Sequence, residues 1–179
     1  MPTATASLEE TLAKGVWTPV WRTAVLDSAA HNTYATDKHV KDSSDWQAEL
    51  ISADGGQFAV SFVADIADKE ATGVVDWSMS GIHNVNNALV AVAAAYNIGV
   101  SVKTACAALS AFAGIKRRME LIGDVNDILV FDDFAHHPTA ITTTLDGAKK
   151  KLVDRRIWAI IEPRSNTMKM GIHQDSLAE

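Results

Sequence analysis

The hydrophobic period of this chain changes at Gly81, and that change limits its folds more than any other feature. From Trp46 onward apolar residues recur every second position. Trp46 to Ser52 reads as a strand, and Asp54-Gly55-Gly56 is a hairpin turn signal because these residues tolerate positive φ. The next strand, Gln57 to Val63, puts Phe58, Val60 and Phe62 on one face. A third, Thr72 to Met79, alternates Val75, Trp77 and Met79 against Asp76 and Ser78. The pattern predicts an antiparallel meander with one solvated face. After Gly81 the spacing turns helical: Leu89, Val92 and Tyr96 lie at i, i+3 and i+7, and Gly99 suits the position after a helix end. Ser101 then caps a second helix with Ala105, Leu109 and Phe112 inward, stopped by Gly114.

The last third reads differently. Ile115 to Leu121 is an extended basic segment, and a domain boundary falls near Glu120. Ile128 to Phe131 and Ile157 to Ile161 are short continuous apolar runs. Between them lies a helix from about Pro138 to Leu152, with Ala140, Ile141, Thr144, Leu145 and Ala148 inward and Lys149, Lys150 and Lys151 at its negative end. Strand, helix, strand at this spacing predicts a parallel βαβ unit. The first 45 residues are weakly patterned: Leu8 to Lys14 could form a short helix closed by Gly15, and Asp27 to Asp45 reads as a loop.

Composition adds exclusions. The chain has 179 residues, 16 basic and 22 acidic, for a net charge of −6. An acidic chain is a poor generic ligand for nucleic acid or anionic membrane. Its apolar fraction of 47% is ordinary for a folded protein. No apolar run nears the ~20 residues of a membrane span, and Met1 to Glu10 lacks the order of a signal peptide. The single cysteine, Cys106, can form no internal disulfide and reads as a small buried hydrophobe. A cytoplasmic location is the expectation.

Two clusters could carry chemistry. In open parallel sheets, ligands bind beyond the carboxyl ends of the strands. The two expected strands end in Asp132-Asp133-Phe134-Ala135-His136-His137-Pro138-Thr139 and Glu162-Pro163-Arg164-Ser165-Asn166-Thr167, which would face one crevice. Turn chemistry explains the prolines but not an Asp-Asp pair, a His-His pair and Arg-Ser-Asn together. Adjacent histidines point apart, so His136-His137 is a weak zinc signal, and no metal residue is assigned. The second cluster is Gly81-Ile82-His83-Asn84-Val85-Asn86-Asn87. Asn84 and Asn87 share one face of a first helical turn, and a carboxamide matches the donor–acceptor edge of adenine. From spacing alone, N-capping by His83 or Asn84 is the simpler account.

Taken together, Gly81-x-His83-Asn84-x-x-Asn87-Ala88, Arg117-Arg118-x-Glu120 and Asp132 to Thr139 resemble the Mur ligase superfamily, ATP-dependent amide ligases of bacterial peptidoglycan. Glu162 to Lys169 is similar to the branch that joins the tripeptide L-alanyl-γ-D-glutamyl-meso-diaminopimelate to UDP-N-acetylmuramate in murein recycling; the L-alanine-adding branch is the alternative. A non-catalytic nucleotide-binding module is a second alternative.

The resemblance implies residues 1–120 as the end of a central ATP-binding domain and 121–179 as the start of a Rossmann-like acceptor-binding domain. It implies that Asn84 and Asn87 hold adenine, with His83 preceding them, that Arg118 reaches the nucleotide, and that Asp133 contacts ribose. His136 lies toward the γ-phosphate as a catalytic residue, and Arg164, Ser165 and Asn166 meet the incoming tripeptide. ATP and Mg²⁺ are the implied cofactors, with UDP-N-acetylmuramate and the murein tripeptide as partners. The family's phosphate-binding loop, Gly-x-x-x-x-Gly-Lys-[Ser/Thr], is absent from the sequence. The expectation is therefore an internal fragment, inactive by itself, whose half-built sheet favours association between copies.

Overall fold

The computed structural model describes residues 6–26, 44–63, 71–162 and 166–171. A four-stranded sheet runs in the order β1 (Thr23–Leu26), β2 (Trp46–Leu50), β3 (Gln57–Phe62) and β4 (Thr72–Asp76). Strands β2, β3 and β4 are antiparallel neighbours, as the alternating pattern requires. Strand β1 pairs in parallel with β2, Thr23 opposite Trp46 and Leu26 opposite Glu49. Sequence reading missed β1 because all four of its residues are buried, so no alternation marks it. Helix α1 (Ala6–Leu12) precedes it, tied by the Glu9–Arg22 ion pair. The expected loop between Asp27 and Asp45 lies almost wholly outside the described residues.

Helices α2 (Ile82–Asn97) and α3 (Val102–Ser110) cover one face of this sheet. Trp46, Ala48, Phe58, Val60 and Val75 from the strands meet Val85, Ala88, Leu89 and Val92 of α2 and Val102, Ala105 and Cys106 of α3 in one core. Trp46 stacks on Phe62 with ring centroids 4.7 Å apart, and Tyr96 meets Trp46 edge-on at 5.3 Å. Ser101 Oγ accepts the Thr104 N–H, the cap its position predicted. Phe112, expected inward, is exposed, because α3 ends at Ser110 and the chain turns away before the ring can reach the core.

Beyond Gly114 the chain forms an antiparallel ribbon of β5 (Glu120–Val125) and β6 (Ile128–Asp132). Helix α4 (Pro138–Lys151) follows, with Pro138 in its first turn and the three lysines in its last. Residues 157–161, expected as the second strand of a parallel βαβ unit, carry no strand, and every one of them is exposed. The overall α/β class stands, but β6 has an antiparallel partner and no parallel one among the described residues. The physical reason is coverage: a parallel strand needs neighbours at its edges and layers on both faces, and nothing described here supplies them. A four-residue helix α5 (Asn166–Lys169) completes the described chain.

Candidate functional site

The sheet hands the chain to α2 at Ser78–Gly81, a corner fixed from several sides. Gly81 adopts φ +95°, a left-handed conformation open to glycine, and its N–H donates to Asp54 O at 2.6 Å. The hairpin turn holding Asp54 is itself closed by Gly56 N–H to Asp54 Oδ1 at 3.0 Å and by Trp77 Nε1 to Gly55 O at 3.0 Å. On the other side, α4 docks on the same corner. A Cβ placed on Gly147 would lie 3.0 Å from Gly81 Cα, so only glycine allows this backbone approach. Lys151 Nζ, a turn further along, donates to Ser78 O. The expected inner stripe of α4 is half-buried, and only Gly147 and Ala148 are fully covered.

Next to this corner lies an open groove of about 390 Å³. One wall is Ser78, Met79, Ser80 and Asn84; the other is the linker from Ala113 to Leu121, including Arg118 and Glu120. Asn84 and Arg118, taken from separate sequence motifs, thus line one space. Asn84 Nδ2 donates to Ser80 O at 2.7 Å, which leaves its carboxamide oxygen and second N–H for a ligand. Ser80 Oγ is buried without a partner among the described residues, a polar atom that fits a ligand or water in the groove. Asn87 is exposed and does not line the groove.

His83 folds back on the corner: a Cβ on Gly81 would stand 2.6 Å from its Cε1. Its Nδ1 is buried and has no hydrogen-bond partner among the described residues. Burial pushes its pKa below the ordinary histidine value, the Asp133 carboxylate opposes this, and the Arg118 guanidinium reinforces it. The ring is therefore neutral at pH 7, and it senses both residues electrostatically.

The linker is not extended as expected. Arg117 and Met119 adopt φ +59° and +49°, left-handed values that side chains resist. The strand end after β6 holds this turn. Asp133 Oδ2 accepts the Met119 N–H at 2.9 Å and Oδ1 accepts the Ala135 N–H at 2.7 Å. Phe134 N–H donates to Arg117 O at 2.9 Å. His136 is exposed, its Nδ1 2.9 Å from Phe134 O, and does not line the groove. Asn166 is exposed at the start of α5, and Arg164 and Ser165 lie outside the described residues. Among the described residues the crevice between two parallel strand ends is not formed; the groove lies at the linker instead. Sequence reading missed Ser80 and Gly147. A glycine inside a helix was the available signal for Gly147.

Among the described residues, no three His, Cys, Asp or Glu side chains converge as a metal site.

Residues 117–175 match the family described as Mur ligase, glutamate ligase domain. The chain is 42% identical over 173 residues to the UDP-N-acetylmuramate–L-alanyl-γ-D-glutamyl-meso-2,6-diaminoheptandioate ligase of Haemophilus influenzae, covering 96% of this chain and 33% of that protein. A UDP-N-acetylmuramate–L-alanine ligase of Acetivibrio thermocellus is 39% identical over a shorter stretch, 68% of this chain and 25% of that protein. Among solved structures, a murein peptide ligase from Psychrobacter arcticus shares 79% identity and a TM-score of 0.65, over 99% of this chain and 34% of that one. The chain thus spans about a third of the length of the relatives it matches.

Proposed function

Because this chain belongs to the Mur ligase superfamily, we propose that it works within an ATP-dependent amide ligase that joins UDP-N-acetylmuramate to the tripeptide L-alanyl-γ-D-glutamyl-meso-diaminopimelate. The observation that carries the nucleotide part is the groove shared by Asn84 and Arg118. A carboxamide with a free donor and acceptor suits the edge of adenine, and a guanidinium suits phosphate. In the reaction, the muramate carboxyl is phosphorylated by ATP, the tripeptide amine attacks the acyl phosphate, and phosphate leaves. This chain contributes position and charge rather than a covalent step.

The roles divide by location. Asn84 receives the base inside the groove and Asn87, exposed outside its lining, flanks it; His83 packs on Gly81 at the neighbouring corner. Arg118 meets the nucleotide across the groove. Asp133 lies at the ribose side, His136 toward the γ-phosphate, and Arg164, Ser165 and Asn166 meet the acceptor's carboxylates. Residues 1–120 belong to the central domain and 121–179 to the acceptor domain. ATP and Mg²⁺ are the reaction's cofactors, with the metal held by residues outside this stretch, and the site is cytoplasmic. The choice of the tripeptide over free L-alanine follows the longer match to the tripeptide ligase, 96% of this chain against 68%.

The test is a split in kinetic constants in the full-length protein that carries this chain. Asn84→Ala is expected to raise the KM for ATP about two- to tenfold, the cost of a lost neutral hydrogen bond, and to leave the tripeptide KM unchanged. Arg164→Ala is expected to do the reverse. If both substitutions moved only the ATP constant, the acceptor role of the Arg164 loop would be wrong.

A further inference from the structure

Arg117 stands beside Arg118 in the sequence and makes a different set of contacts. Its backbone N–H donates to Glu120 Oε2 at 2.8 Å, and its carbonyl accepts the Phe134 N–H at 2.9 Å. Its Nε donates to Asp132 Oδ2 at 3.1 Å, and its guanidinium carbon lies 4.9 Å above the centre of the Phe134 ring. Two residues later, Met119 N–H is held by Asp133. Every one of these partners except Glu120 lies at the end of β6. The two residues so held, Arg117 and Met119, are the two with left-handed backbone in this turn, and Arg118 lies between them.

A left-handed conformation is unfavourable for a side-chain-bearing residue and persists only where surrounding contacts over-determine it. Left alone, the linker would relax to ordinary φ values and carry Arg118 elsewhere. The exposed Arg117–Asp132 ion pair contributes little by itself. Its weight comes from acting with three backbone hydrogen bonds and the ring contact on the same few residues.

We propose that Arg117, Asp132 and Asp133 form a latch that fixes the linker turn so that Arg118 faces the groove across from Asn84. They are positioning residues acting through Arg118, and this assigns to the Asp-Asp-Phe run a task on the linker. The latch also joins the element before β5 to the element after β6, so the linker and the strand end move as one piece. The inference rests on the reading of Arg118 as a nucleotide-binding residue.

Two measurements on the full-length protein test it. The first is amide hydrogen exchange without ligand. Arg117→Ala and Asp133→Ala are expected to speed exchange at Met119 and Phe134 about tenfold, with amides of α2 and α3 unchanged; unchanged protection at Met119 and Phe134 would overturn the latch. The second is a double-substitution cycle on the KM for ATP. Arg117→Ala is expected to raise it about three- to tenfold and Arg117→Lys by less, while Arg117→Ala adds nothing further when Arg118 is already alanine. Effects that multiply in the double variant would show Arg117 acting independently and overturn the positioning role. Should Arg118→Ala leave the ATP constant unmoved, the nucleotide reading of Arg118 fails, and the exchange result still decides the latch.

Discussion

The Cys106 thiol lies against Gly73, where an added Cβ would approach its Sγ to 2.8 Å. Burial in this contact pushes its pKa up to about 11. At pH 8 the folded protein should therefore resist iodoacetamide, while denatured protein is labelled at an ordinary thiol rate; rapid labelling of the native chain would contradict the packing. The native thiol keeps its proton more tightly than the unfolded one, so this stabilisation is complete below about pH 9 and is lost as pH rises toward 11. That reading of Cys106 as a buried hydrophobe was legible from its apolar neighbours alone. The latch at Arg117 was not, because a left-handed turn built by distant carboxylates leaves no periodic trace.

At the scale of elements, local signals and the alternation of β2 to β4 translated, while the pairing of β1 did not show. The cap at Ser101, the left-handed glycines Gly99 and Gly114 and the start of α4 at Pro138 each depend on a few adjacent residues. Strand β1 depends on a partner more than twenty residues away. The run at 157–161 has the composition of a strand and no strand partner among the described residues, so propensity alone does not make it one. Docking of α4 turns on Gly147. Gly147→Ala gains about 1 kcal/mol of helix propensity, yet its Cβ must push the backbone at Gly81 away. We expect a net loss of about 1–2 kcal/mol in denaturant unfolding, with weaker protection of α4 amides. A more stable variant would show that the contact at the Ser78–Gly81 corner is looser than its geometry indicates.

For the whole molecule, the groove arises because the sheet-to-helix corner and the linker are held by separate anchors that converge. Asp54 and Gly147 fix the corner; Asp133 fixes the linker. Asn84 and Arg118 meet there although thirty-four positions separate them in sequence. Family motifs named both residues, but only the fold shows that they share one space and that Asn87 stands outside it. Large apolar side chains on the ribbon and after α4 stay uncovered, Ile160 at 97% and Trp158 at 77% exposure. That is a surface suited to burial against further structure, in keeping with relatives about three times as long as this chain.

The reaction and its acceptor can be measured directly. The full-length protein carrying this chain should be given ATP, Mg²⁺, UDP-N-acetylmuramate and equal concentrations of the tripeptide and free L-alanine, and its products resolved by mass. The UDP-N-acetylmuramoyl-tripeptide is expected as the dominant product, formed with stoichiometric release of phosphate. A dominant L-alanine adduct would move the protein to the sibling ligase, and no adduct with either amine would contradict the ligase assignment itself.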